Sequence, residues 1–390
     1  VHLPSVVERS EVAADHRQPI DSDDEKGRFS DGIVIPFGLR STVRRKSASL
    51  LSGHLKPIMS GHSRAEELPM TDDAKRPLVR QMACMTIAAA DPAALVTTIR
   101  DIMGWTVATR GTITPQAAAA WGVAAAGLPF TLLCSPHADR GMIRIIPGAN
   151  RFPTRQIGAR WSGVEIVVSR DIDGVHARMI DDASVQRGLD PDNADFTDVG
   201  ANIHRFFWVR PAGGTHFMFT AAVTEARDYE FPDADAQVGH IFSIPLVSTD
   251  FARSFAFYTD VLGLRAVLED HLSGGIWHKS WSLEEGESVD LAILVGDAPG
   301  FGLGGIELQG YSADVVDPVA AVANRFDGGA CMGTFIAPDF DAAVEAIRRS
   351  GVAHGEPCAL TDAPYHGARS FAFIGPGGER LEIAEAFTPE

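Results

Sequence analysis

Hydrophobic and polar positions beyond residue 70 follow one rhythm four times over: an apolar strand, an amphipathic helix opened by Asp and closed by Gly, then further strands. In the third copy, Gly239-His240-Ile241-Phe242 leads into residues 250–264. There Asp250 is an N-cap, Phe251, Phe255, Tyr258 and Leu262 recur at helical spacing, and Gly263 ends the helix. The fourth copy begins at Met332-Gly333-Thr334-Phe335. Asp339 then caps a helix that turns Phe340, Val344 and Ile347 inward and closes at Gly351. Strand-like 368–374, the turn Gly375-Pro376-Gly377-Gly378 and Arg380–Ala384 complete the order βαβββ.

The first half repeats this more faintly. Met82–Ala89 predicts a strand, Asp91 caps a helix through Leu95, Ile99 and Ile102 to Gly104, and 141–146 predicts a late strand. Residues 163–169, a helix over 174–180, and strands at 203–209 and 215–222 make the second unit. A period of about 70–80 residues repeated in this way governs the expected fold. Linkers are expected at 147–156 and 228–237.

Residues 1–69 lack the rhythm and mix charge, Ser, Gly and Pro, a composition that cannot bury enough surface to offset ordering entropy. A disordered tail is expected there. Acidic residues precede the short basic run Arg44-Arg45-Lys46, the reverse of a secretory signal. Met70-Thr71-Asp72-Asp73 leads directly into patterned sequence, so the native start is expected at Met70.

Composition sharpens the class. The 390 residues are 45% hydrophobic, enough for real cores, and carry 34 Lys+Arg against 51 Asp+Glu for a net charge of −17. Residues 1–69 hold ten of each sign, so the whole excess of acid falls on the patterned part. Such a body is repelled by phosphate backbones and anionic membranes, which argues against nucleic-acid and membrane partners. Cys84, Cys134, Cys331 and Cys358 form no C-x-x-C pair, which fits reduced thiols and a cytoplasmic location. No stretch approaches the roughly 18 uncharged apolar residues of a membrane helix.

The strand followed by DFARSFAFYTDVLGL, together with PYHGARSFAFIGPGGERLEI near the end, resembles the vicinal oxygen chelate superfamily, which includes glyoxalase I, bleomycin-resistance proteins and extradiol dioxygenases. The resemblance is strong over 237–390 and fainter before. It implies an α+β fold of four βαβββ modules paired into two glyoxalase-like domains, each an open, cupped β-barrel. The expected domains are 70–232, metal-free, and 233–390, carrying the site.

In that superfamily each module offers one metal ligand from its first strand, seven residues before the capping Asp, and one from its last. The resemblance thereby implies Glu307 and Glu382 as last-strand ligands and His240 as a first-strand ligand, although strict spacing selects Ser243. An irregularity at Pro245-Leu246-Val247-Ser248 is invoked to absorb the difference. The rule lands on Met332 in the last module, and on Cys84 and Val164 in the first two, where the last strands offer Arg144 and residues around Phe217–Phe219. In Leu381-Glu382-Ile383 and Ile306-Glu307-Leu308 each Glu faces away from its apolar neighbours, as a cup-facing ligand must.

The implied cofactor is a divalent ion, Mn, Fe, Zn, Ni or Mg, acting as a Lewis acid on a small oxo, hydroxy or aromatic compound. Glu307 and His366 are the candidate proton carriers. Lyase or isomerase chemistry leads. Ring-cleaving dioxygenation is a further alternative, weakened because Ala372 stands where its signature has Tyr. The rival is a metal-free binding protein of the bleomycin-resistance kind, with Phe242, Trp277, Met332, Phe335, Tyr365 and Trp281 lining an apolar pocket. A monomer or a homodimer is expected. Gly300-Phe301-Gly302-Leu303-Gly304-Gly305 fits G-x-G-x-x-G but precedes a strand, so it is a loop. The Ala-rich run 116–127 predicts an inserted helix anchored by Trp121.

Overall fold

The structure is a computed structural model of the chain and describes residues 76–80, 82–136, 141–149, 161–199, 201–224, 236–296, 304–312, 326 and 328–388. The tail, the Met70 start and most of both linkers and of the Gly-rich loop lie outside the described residues. The chain divides into Val1–Leu68 and Pro69–Glu390, and every element below belongs to the second unit.

The four modules are present. The first comprises β1 (Met82–Ala89), α1 (Pro92–Met103), β2 (Thr106–Thr112), α2 (Pro115–Trp121), β3 (Pro129–Cys134) and β4 (Met142–Pro147). The second comprises β5 (Gly163–Val168), α3 (Ile172–Asp181), β6 (Val185–Asp195), β7 (Ile203–Pro211) and β8 (His216–Ala222). The third runs through β9 (Val238–Ser248), α4 (Phe251–Ala256), β10 (Arg265–Ser273), α5 (Gly275–Trp281), β11 (Ser288–Val295) and β12 (Gly305–Tyr311). The fourth has β13 (Gly329–Ile336), α6 (Phe340–Ser350), β14 (Cys358–Ala359), β15 (Arg369–Ile374) and β16 (Arg380–Ala384).

The capping signals act as their chemistry requires. Asp91, Asp250 and Asp339 accept backbone N–H bonds from Ala94 (2.9 Å), Arg253 (3.0 Å) and Ala342 (3.0 Å). Gly351 ends α6 in the left-handed region, φ 77°. The third-module helix departs from the expected continuous α-helix, because Phe257–Val261 is a π-helical turn in which Leu262 N–H bonds to Phe257 C=O. The widened turn lets the adjacent side chains Phe257 and Tyr258 both be buried.

Within every module the first and last strands pair in parallel, β1 with β4, β5 with β8, β9 with β12 and β13 with β16. Modules then join through antiparallel first strands, β1 with β13 and β5 with β9. The sheets run β14-β15-β16-β13-β1-β4-β3-β2 and β10-β11-β12-β9-β5-β8-β7-β6. The first module therefore pairs with the fourth and the second with the third. This differs from the expected chain-order domains at 70–232 and 233–390. Closing the longer connection costs little, since loop entropy grows only with the logarithm of length.

Three apolar clusters follow from the alternation of side chains across these sheets. A central core gathers the backs of both sheets and the inner faces of α1, α3 and α6, including Ile99, Val175, Ile347, Phe217 and Phe335. A second cluster fills the cup of the outer modules, with Trp121, Met332 and Tyr365, and a third lies in the cup of the inner modules, with Phe242, Trp281 and Leu291. Trp105 Nε1 donates to Gly239 C=O (2.9 Å) and Trp161 Nε1 to Arg380 C=O (3.0 Å), tying the two sheets together. Among the described residues, no helix is long and apolar enough to cross a membrane.

Candidate functional site

The same local pattern places one charged residue per module on the concave face of its first or last strand. Ile143 and Ile145, Val164 and Ile166, Ile306 and Leu308, and Leu381 and Ile383 all enter the central core. The residues between them, Arg144, Glu165, Glu307 and Glu382, are carried to the opposite side, all buried. Module pairing then puts Arg144 and Glu382 in the outer cup and Glu165 and Glu307 in the inner one.

In the outer cup Glu382 accepts from Thr334 Oγ1 (2.7 Å), Trp121 Nε1 (2.9 Å), Tyr365 Oη (2.9 Å) and Ser370 Oγ. Arg144 donates through Nη2 to Tyr365 Oη (3.0 Å), so the tyrosine bridges guanidinium and carboxylate. The guanidinium also lies over the rings of Trp121 (4.9 Å) and Phe387 (5.4 Å). Burial pushes the Tyr365 phenol well above its ordinary value, keeping it a donor. Cys84, where the spacing rule lands, has its thiol pushed by burial up to about 12. A divalent ion does not fit here: the Glu382 oxygens carry four donors, the thiol keeps its proton, and the ligand position of β4 holds a fixed cation.

The inner cup is different. Ser243 Oγ lies 2.6 Å from Glu165 Oε2 and 3.1 Å from Glu307 Oε2, between two carboxyl groups that also hydrogen-bond each other. Gln309 Nε2 donates to Glu307 Oε1 (2.6 Å), and Tyr311 Oη in turn donates to Gln309 Oε1 (2.8 Å). Burial raises both carboxyls. Glu165 is raised well above its usual range, further by the charge of Glu307, while hydrogen bonds from Gln309, Ser243 and Glu165 oppose the rise at Glu307. Burial and mutual repulsion therefore favour a proton held within the pair, with Glu165 the more strongly raised group.

Above this pair lies a cavity of about 50 Å³. Phe196, Phe206, Phe242, Trp277 and Trp281 line it. Trp277 stacks on Trp281 (5.0 Å between centroids) and on Phe206 (6.2 Å), so α5 brings two indoles to the cavity wall. His204 also lines it, its pKa pushed down by burial to about 4, and is therefore neutral.

The expected site residues are thus divided. Glu307, Phe242, Trp277 and Trp281 meet in the inner cavity, whereas Glu382, Met332 and Tyr365 belong to the outer cup and Phe335 to the central core. His240 is buried in β9 without lining the cavity. β9 runs unbroken through Pro245, so no irregularity shifts the spacing there, and Ser243 is the residue beside Glu307. His366 is exposed at a turn, φ 50°, and its neighbour Tyr365 reaches inward instead. The set His240, Glu307 and Glu382 is not assembled. In the inner cup the two carboxyls stand against Ser243 and Gln309. Among the described residues no three His, Cys, Asp or Glu side chains gather, so the donors do not fit the expected Mn, Fe, Zn, Ni or Mg ion.

Solved structures supply the wider comparison. Glyoxalase I from Zea mays superposes with a TM-score of 0.51 at 12% identity, over 78% of this chain and 92% of that one. A candidate dioxygenase from Bacillus subtilis gives 0.52 at 13%, over 80% and 86%. The fold is glyoxalase-like. At these identities the likeness establishes the glyoxalase-like fold alone. No protein-family model and no curated protein matches the sequence.

Two outcomes are expected. Arg144→Met strands Glu382 in the outer cup without its cation and should lower unfolding stability in urea by about 3–5 kcal/mol; a loss under about 1 kcal/mol would contradict the assignment. Because folding raises the Glu165 pKa above its ordinary 4.5, its stabilising share is whole below that value and is lost as pH rises through the folded value. Glu165→Gln should flatten the fall of Tm as pH rises above the ordinary carboxylate range, and an unchanged slope would count against the raised Glu165 carboxyl.

Proposed function

We propose that this glyoxalase-like chain is a small-molecule-binding protein whose inner cup takes up a flat, largely apolar compound without a metal. The observation that carries the reading is the aromatic lining of the cavity over Glu165 and Glu307. Its walls offer ring faces with only a few convergent polar groups. The outer cup is filled by its own side chains and its own guanidinium, and we assign it a structural part.

A second reading rests on the carboxyl pair. An acid and a carboxylate in hydrogen-bond contact can give and take a proton, which suits isomerase or lyase chemistry at a carbon beside an oxygen. Entry of solvent deuterium into a bound ketone, with no entry in Glu307→Gln, distinguishes it from binding alone. Ring-cleaving dioxygenation draws no support from these donors.

The binding reading is tested by titrating 2-naphthol against tryptophan fluorescence. Saturable binding is expected, unaffected by chelator, weakened about tenfold in Trp277→Ala and unchanged in Tyr365→Phe. Binding that needs added metal, or that Trp277→Ala leaves intact, would overturn it.

A further inference from the structure

Resting on the binding reading, we infer that the inner cavity selects a planar aromatic monocation, seating a protonated amine on the Glu165–Glu307 pair while its ring lies among Trp277, Trp281 and Phe206. Three independent features converge on this chemistry.

The first is charge. Glu165 and Glu307 are 6% and 5% exposed, at the floor of a cavity that no Lys or Arg lines among the described residues. The other groups facing the pair supply no positive charge: Ser243 and Gln309 are neutral, Thr220 offers a hydroxyl, and Tyr311 and His204 keep neutral side chains. The contrast with the outer cup is informative. There the equivalent strand position on β4 carries Arg144, a cation built into the chain. In the inner cup the corresponding strand β8 brings Met218 and Thr220 to the cavity, so the space that a cation fills in one cup is left to a ligand in the other.

The second is the wall. Aromatic faces carry negative quadrupole potential, and stacked Trp277 and Trp281 with Phe206 attract a cation as well as an apolar ring. A neutral planar molecule satisfies the walls and leaves the floor uncompensated; a carboxylate is repelled by it.

The third is stoichiometry. Two carboxyls sharing one proton present a single negative charge, which one ammonium balances without moving the proton. A divalent ion needs both groups ionised and further ligands that the cavity does not offer. The match is therefore to a monocation.

The test is isothermal titration calorimetry of the full chain at neutral pH with three matched probes: 2-naphthylmethylamine, 2-naphthalenemethanol and 2-naphthoate. The amine should bind about 10- to 100-fold tighter than the alcohol, the ratio that a hydrogen bond to a charged group supports, and the carboxylate weakest. In Glu165→Gln/Glu307→Gln, which keeps shape and removes the charge, amine and alcohol should bind alike. If the amine binds no tighter than the alcohol, the cation inference fails while the aromatic pocket stands. If no probe binds, both fail. An amine preference that survives the double substitution would overturn the seat on the carboxyl pair. Should that variant not fold, the order of the three probes on the unsubstituted chain decides alone.

Discussion

A carboxyl group on the concave face of a curled sheet must be compensated where it stands, because strand alternation gives it nowhere else to point. Leu381 and Ile383 are committed to the central core, so Glu382 cannot leave its cup without taking them with it; the same holds for Glu307 between Ile306 and Leu308. Burying such a group without a partner costs several kcal/mol or more, so each cup is organised around its compensation. The outer cup uses Arg144 and the Tyr365 bridge. The inner cup uses hydrogen bonds from Ser243 and Gln309 and a second carboxyl, Glu165, whose pKa burial raises.

That difference follows from how the modules meet. Antiparallel pairing of β1 with β13 and of β5 with β9 brings the first and last strands of two modules side by side in each cup. Arg144 therefore comes to Glu382 across more than half the chain, and Glu165 comes to Glu307 from the adjoining module. Inserted helices complete the contrast: α2 lowers Trp121 onto Glu382, while α5 holds Trp277 and Trp281 around open space. One architecture yields a closed cup and an open one.

Much of this was legible locally. The capping signals Asp91, Asp250 and Asp339, the βαβββ order and the inward turn of Glu307 and Glu382 are all readable from periodicity, because each depends on residues within one strand or helix. The alternation argument extends to Val164-Glu165-Ile166 and Ile143-Arg144-Ile145, and would have found both missing partners. A spacing rule landed instead on Val164, and a slip of one residue on a strand exchanges the two faces. His240 illustrates the opposite error, a ligand-type side chain preferred over the Ser243 that the spacing selected. Which modules pair is not written in any local period, since the first strands of all four are buried on both faces and offer similar edges. Glu307 and Glu382 could therefore be placed on the right face yet not in the right cup.

The central claim is that the inner cup holds one carboxylic acid and one carboxylate at neutral pH. Infrared difference spectroscopy between the unsubstituted chain and Glu165→Gln observes this directly, through the carbonyl stretch of a protonated carboxyl group. One such band, lost on substitution, is the result the account requires. A difference spectrum at neutral pH showing only carboxylate bands would contradict it.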